Sequence, residues 1–241
     1  DLAPISDPMA DELYIPMNMM PLSMVGKEPK PEPPPDRMLA EGEQPETEEE
    51  ERAIRGASSR SRLESVYTKR FLSTAKRILD IEVADIRTAL DRHLTKRSRA
   101  DFDKWLNDYY ETHSRDVMQD IMPLLMKYAD EIQRAANAEV KKPPEMTPAL
   151  KEFTRQYAET FGLRYSGSSR GQLLAILDGM GPEEVREAIE TRISEWQERR
   201  PMKVAKNETV RANNAVAKFV FVAAGVVKLR WKAIGSKSCI Y

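Results

Sequence analysis

The chain is 241 residues long, 41% apolar and 32% charged, with 38 basic against 39 acidic side chains and a formal net charge of −1. That length allows one or two domains with a sizeable core, and the charge density suits exposed helices better than a compact β-sandwich. A single cysteine excludes an internal disulfide framework, and the longest apolar run, residues 219–227, is less than half of a membrane span.

The neutral total hides an asymmetry. Residues 1–56 hold 14 acidic and 5 basic side chains, whereas residues 199–241 hold 10 basic and 1 acidic. The first end suggests a solvated arm and the second an anionic partner. Much of the proline lies in residues 1–36, including PKPEPPPD at 29–36, and EGEQPETEEEE follows at 41–51. Proline fixes φ and removes a donor, and the glutamates cannot bury enough apolar surface to offset the entropy of ordering. Residues 25–58 are therefore expected to form a flexible linker after a short segment, 1–24.

After Ser58 the pattern changes. Leu63, Tyr67, Phe71, Ala75, Ile78, Ile86, Leu90 and Leu94 recur near multiples of a helical turn, which predicts a long amphipathic helix over about 59–94. Beyond a polar break at 95–98, a second stripe runs from Phe102 through Trp105, Leu106, Tyr109, Val117, Ile121, Leu125 and Tyr128 to Ile132, with Pro123 inside it as an expected kink. Neither helix can bury its stripe alone, so 59–146 is expected to be an antiparallel hairpin.

Shorter elements are expected over 147–241. Thr147 can cap a helix that starts at Pro148 and stops at Gly162. A short helix over 168–177 would close at Gly179 and Gly181. Pro182 would start a third helix, running to about Glu198, and a fourth would span about 202–224 and end at Gly225. VVKLRWKAI at 226–234 partly alternates apolar and basic residues, which favours a strand. The fold class is thus mainly α: a long helical hairpin, a smaller helical region, and the start of a β-hairpin at the carboxyl end.

Catalytic signatures are sparse. The sequence carries no P-loop, dinucleotide fingerprint, HExxH or nucleophile elbow. His93 and His113 fall on the predicted long helices and read as ordinary surface or boundary residues. The 48–51 glutamates could hold a divalent cation but read more simply as solvated. Met17, Met19, Met20 and Met24 suit an adaptable apolar plug into a partner. Arg199, Arg200, Lys203, Lys206 and Arg211 precede the apolar run, and Lys228, Arg230, Lys232 and Lys237 surround Trp231 after it. Lys203, Lys206, Lys228, Arg230 and Lys232 are the candidate anion contacts; the competing reading is a solvated helix face followed by a ribbon's polar face. Glu208, alone among these cations, reads as a clamp accepting from Arg211, Arg230 or a neighbouring helix, and holding the last helix against the 226–234 strand.

Lys206, Asn207, Glu208, Thr209, Arg211, Asn214, Gly225, Val226, Lys228, Arg230, Trp231 and Cys239 stand in an order that resembles the core signature of the phage head morphogenesis family, the minor head proteins of the Mu F type. The resemblance covers 183–241 and extends to the helices from about 148. In that family a second cysteine follows two residues after the first, then Leu-Asp-Gly and a later His/Cys cluster. The 147–241 region is therefore expected to be the first part of a domain, and Asp1, not being an initiator Met, to continue an upstream segment. No cofactor is assigned to this stretch, since zinc needs about four ligands and Cys239 supplies one. SDPMADELYIPMNMMPL at 6–22 more weakly resembles the carboxyl end of a tailed-phage portal protein.

These resemblances imply a non-enzymatic virion protein of the capsid interior, present in host cytoplasm during assembly. Its implied partners are portal and capsid proteins, with packaged DNA a further candidate and no membrane. A helical nucleic-acid-binding module, or a carrier for an enzyme or toxin domain beyond Tyr241, are the alternatives.

Overall fold

The computed structural model describes 14–15, 20–21, 47–94, 99–142, 145–179 and 181–226. Tyr14–Ile15 (β1) and Met20–Pro21 (β2) form a two-residue antiparallel ladder, with Tyr14 opposite Pro21. It belongs to a unit of its own, Asp1–Pro45. Among its described residues the other unit, Glu46–Tyr241, contains four long helices: α1 Glu48–His93, α2 Arg99–Glu139, α3 Pro148–Gly179 and α4 Pro182–Ala223. Among the described residues no helix is long and apolar enough to cross a membrane.

The run read as linker enters a helix earlier than expected. Thr47 caps α1, its Oγ1 accepting from the Glu50 N–H at 3.2 Å, and Glu48 to Glu51 fill the first turn. Carboxylates there sit against the positive end of the helix dipole, and Arg52 and Arg55 pair with Glu48 and Glu51 one turn back. The linker therefore ends by Thr47; residues 25–46 lie outside the described residues.

Two further breaks do not occur. Gly162 lies inside α3, where an added Cβ would collide with the Ser114 carbonyl oxygen of α2. It permits a close helix crossing rather than ending a helix, and α3 runs on through 168–177. Pro201 lies inside α4, although proline in a helix interior costs about 3 kcal/mol or more. The packing holds the axis on both sides of it. Trp196 and Arg200 bond to Gln172 and Ser169 of α3, and Glu208 bonds to Arg164. At the far end Gly225 (φ +85°) closes α4 as expected. Its N–H reaches the Val222 carbonyl at 3.0 Å, and the Val226 N–H reaches Phe221 at 2.9 Å, a Schellman cap. The strand expected over 226–234 lies outside the described residues beyond Val226. Thr147 caps α3 as expected, bonding the Leu150 N–H at 3.2 Å.

Neighbouring helices run antiparallel throughout. Tyr67 meets Glu131 while Glu82 meets Tyr110; Arg170 meets Asn107; Asn213 meets Glu64 while Glu190 meets Arg87; and Glu208 meets Arg164 while Trp196 meets Gln172. The result is an up-down-up-down four-helix bundle. Both sides of the 146/147 division seen in the sequence contribute to it. Its seam between α3 and α4 is the loosest of the four.

The core has two apolar clusters along the bundle. One gathers Tyr67, Phe71, Val117, Ile121, Tyr128 and Leu150, with Tyr67 stacked on Tyr128 at 4.2 Å between centroids. The other gathers Leu79, Ile86, Phe102, Leu173, Ile189 and Trp196. Each such side chain contributes about 1.5–3 kcal/mol on burial, which outweighs weak local propensities at Gly162 and Pro201.

Candidate functional site

Where the two clusters meet, each helix contributes polar groups to one buried node. On α1, Glu82 replaces an apolar residue within the stripe Leu79, Val83, Ile86 and is fully buried. Its Oε1 accepts from the Tyr110 hydroxyl of α2 at 2.7 Å, and its Oε2 from the Tyr165 hydroxyl of α3 at 3.0 Å. Arg200 of α4 places Nη1 3.7 Å from the same Oε2. That guanidinium also donates to Ser169 Oγ at 2.6 Å and the Tyr165 carbonyl at 3.0 Å, and lies over the Tyr165 ring at 3.8 Å.

Burial, reinforced by the Glu82 charge, pushes both tyrosine hydroxyls well above their ordinary range, so they donate at any physiological pH. His113 of α2 is buried too, contrary to the surface reading, with Nε2 3.9 Å from Glu82 Oε1 and no hydrogen-bond partner. Burial lowers its pKa, outweighing the attraction of Glu82, Asp116 and Asp85, so its imidazole stays neutral.

A second polar cluster lies further along the α3–α4 seam. Glu208 is buried to 4% exposure, and its carboxylate accepts from Arg211 Nη1 of its own helix at 3.1 Å. From α3, Arg164 Nη2 donates at 2.8 Å and the Tyr157 hydroxyl at 3.0 Å. Burial and the adjacent carboxylate raise the Tyr157 pKa, which keeps it a donor. The clamp joins α4 to α3, the neighbouring-helix form of the expectation; Arg230 and the strand expected beyond Val226 lie outside the described residues. Thr209, beside it, is buried, bonding the Ala205 carbonyl at 2.6 Å, and its own carbonyl accepts from Tyr128 at 3.2 Å. Lys203, Lys206, Asn207, Arg211 and Asn214 are exposed on α4, and Gly225 forms the cap. Lys228, Arg230, Trp231, Lys232 and Cys239 lie outside the described residues.

Between these clusters the seam opens into a groove of about 490 Å³. Its wall carries Arg164, Arg192, Arg199, Arg200, Lys203 and Arg211 against only Glu195 and Glu208. Arg200 thus belongs both to the groove and to the node beneath it. Chemically the arrangement holds negative charge: it offers many N–H donors at a partly buried surface. Among the described residues no cluster of His, Cys, Asp and Glu could hold a metal ion.

The sequence drew attention to α4 but not to Arg164, Arg192, Glu82, Tyr110, Tyr165 or Ser169. The available signal was a polar residue in an apolar stripe: Glu82 between Leu79 and Ile86, His113 between Tyr110 and Val117, Ser169 between Tyr165 and Leu173. Compared with known proteins, the chain matches no family model, no curated protein and no solved structure.

Proposed function

We infer that this chain is a non-enzymatic structural component of a phage head, a minor head protein acting with the portal in capsid assembly and DNA packaging. The reading rests on the resemblance carried by 206–239. The observation that supports it best is the use made of Glu208. The one carboxylate in that stretch spends its lone pairs on Tyr157, Arg164 and Arg211, as a helix-to-helix tie rather than as an exposed acid or base. Four helices of 32 to 46 residues also give long faces for docking in an assembly. Zinc enters this reading only with further Cys or His ligands beyond Cys239.

The test is co-expression of the chain, in its natural coding context, with the portal and major capsid proteins encoded beside it. Co-purification with portal assemblies and recovery in purified heads are expected. Absence from heads, with no portal protein encoded nearby, would overturn the assignment.

A further inference from the structure

The geometry points to the α3–α4 groove as a docking track for the phosphodiester backbone of duplex DNA. Its phosphate contacts are Arg192, Arg199, Lys203 and Arg211 on α4 and Arg164 on α3. The proposal stands on the groove alone and does not depend on the virion reading.

Spacing is the first argument. Arg192, Arg199 and Lys203 are separated by seven and four residues, so they fall on one face of α4, with Arg211 at its edge. From Arg192 to Arg211 the stripe extends about 28 Å at 1.5 Å per residue. An isolated phosphate would occupy one point of such a line. One strand of B-form DNA presents a phosphate about every 3.4 Å along the axis and offers charge over its whole length.

Charge bookkeeping is the second. Glu208 accepts one N–H each from Arg164 and Arg211, so two guanidiniums share one carboxylate and positive charge is left over. Each guanidinium has five donors, and the clamp fixes its plane while leaving others for a ligand. Arg192 pairs with Glu195 at 2.9 Å, but both are about half exposed, and solvent-screened pairs of this kind add little. Lys203 and Arg199 project into solvent; Arg199, 80% exposed, lies 3.8 Å from the similarly open Glu198, a pair that again adds little.

The aromatic side chains of the groove are closed to stacking. Trp196, Tyr165 and Phe161 in its wall are each no more than 5% exposed, so they offer no platform on which unstacked bases could lie. Contact is therefore with phosphate and sugar, aided by Ser168 and Asn207, and binding is indifferent to sequence. Arginine supplies five of the six cations and matches a phosphate's paired oxygens.

The experiment titrates the full chain with a fluorescent 30-base-pair duplex from 50 to 200 mM KCl. With about four phosphates neutralised, affinity should fall about 150-fold over that range, equally for unrelated sequences. Arg199→Gln/Lys203→Gln, both exposed, should melt like the parent and lose about two units of log–log salt slope. Lys69→Glu/Lys76→Glu on α1, away from the groove, should keep the parent slope. No binding at 50 mM overturns the proposal. So does an unchanged slope in the groove variant, including the case where Lys228, Arg230 and Lys232 carry all the binding. Displacement of the duplex by polyglutamate at equal charge would make the partner an acidic peptide and overturn the assignment to DNA.

Discussion

At the scale of single residues, two carboxylates and one imidazole carry most of what is testable. Glu208→Gln keeps the shape of the clamp but weakens charge-assisted bonds from Arg164 and Arg211, at a cost of about 2 kcal/mol. For a bundle of this size the midpoint should fall by about 4–8 °C; an unchanged melt would make Glu208 a surface residue in effect. His113 gives a pH dependence whose sign follows from its lowered pKa. In the unfolded chain a histidine takes up its proton near pH 6.5, whereas the folded one resists. The unfolded state then binds more protons, so stability is present above about pH 6.5 and is lost as pH falls through the folded value. The groups that face it are Glu82, Asp116 and Asp85, which favour its charged form, and Arg200, which opposes it. His113→Gln should flatten the loss between pH 7.5 and 5.5, and parallel curves for variant and parent would refute the assignment. Glu208 was legible because it is one acid among cations. Glu82 and His113 were less so, because their partners come from three other helices and no local spacing connects them.

Elements behave differently from residues, because packing overrides punctuation. Gly162 and Gly171 have the same chemistry nine residues apart in α3, yet they should respond oppositely to alanine. At Gly162 a methyl group meets backbone of α2, and overpacking should cost about 1–3 kcal/mol. At Gly171 nothing lies within 4 Å, so the better helix former should stabilise by about 0.5–1 kcal/mol. Chemical denaturation of both variants checks the pair, and a shared sign would contradict the close α2–α3 crossing. The same logic explains which boundaries were readable. Thr147–Pro148 and Gly225 mark real ends because their signals are local caps. Gly162 and Pro201 look like ends in sequence, but α3 and α4 are anchored across them by side chains of other helices. The glutamates at 48–51 look like solvated linker because composition carries no information on helix polarity, and a single capping threonine reverses their meaning.

Seen whole, the molecule's mainly helical class was legible from the 3.6-residue stripes, and the first helical pair from its short connection. The joining of all four helices was not, since α3 and α4 carry weaker stripes interrupted by serine, glycine and arginine. The polar node at the junction of the apolar clusters has a consequence for the alternatives this sequence rejects. Four long helices with oily interiors could slide past one another by a turn, or exchange between two chains, at little cost in buried area. A slide of one turn in any helix would set Glu82 or Arg200 against hydrocarbon and strand a buried charge, which costs several kcal/mol. The node therefore selects one alignment rather than adding net stability. Replacing it with apolar groups of similar size (Glu82→Leu, Tyr110→Phe, His113→Leu, Tyr165→Phe, Arg200→Met) should keep or raise the melting temperature. It should also release slipped and exchanged forms, visible as mixed oligomers by native mass spectrometry. A single monomeric species in that variant would mean that the alignment is fixed by the shapes of the apolar side chains alone.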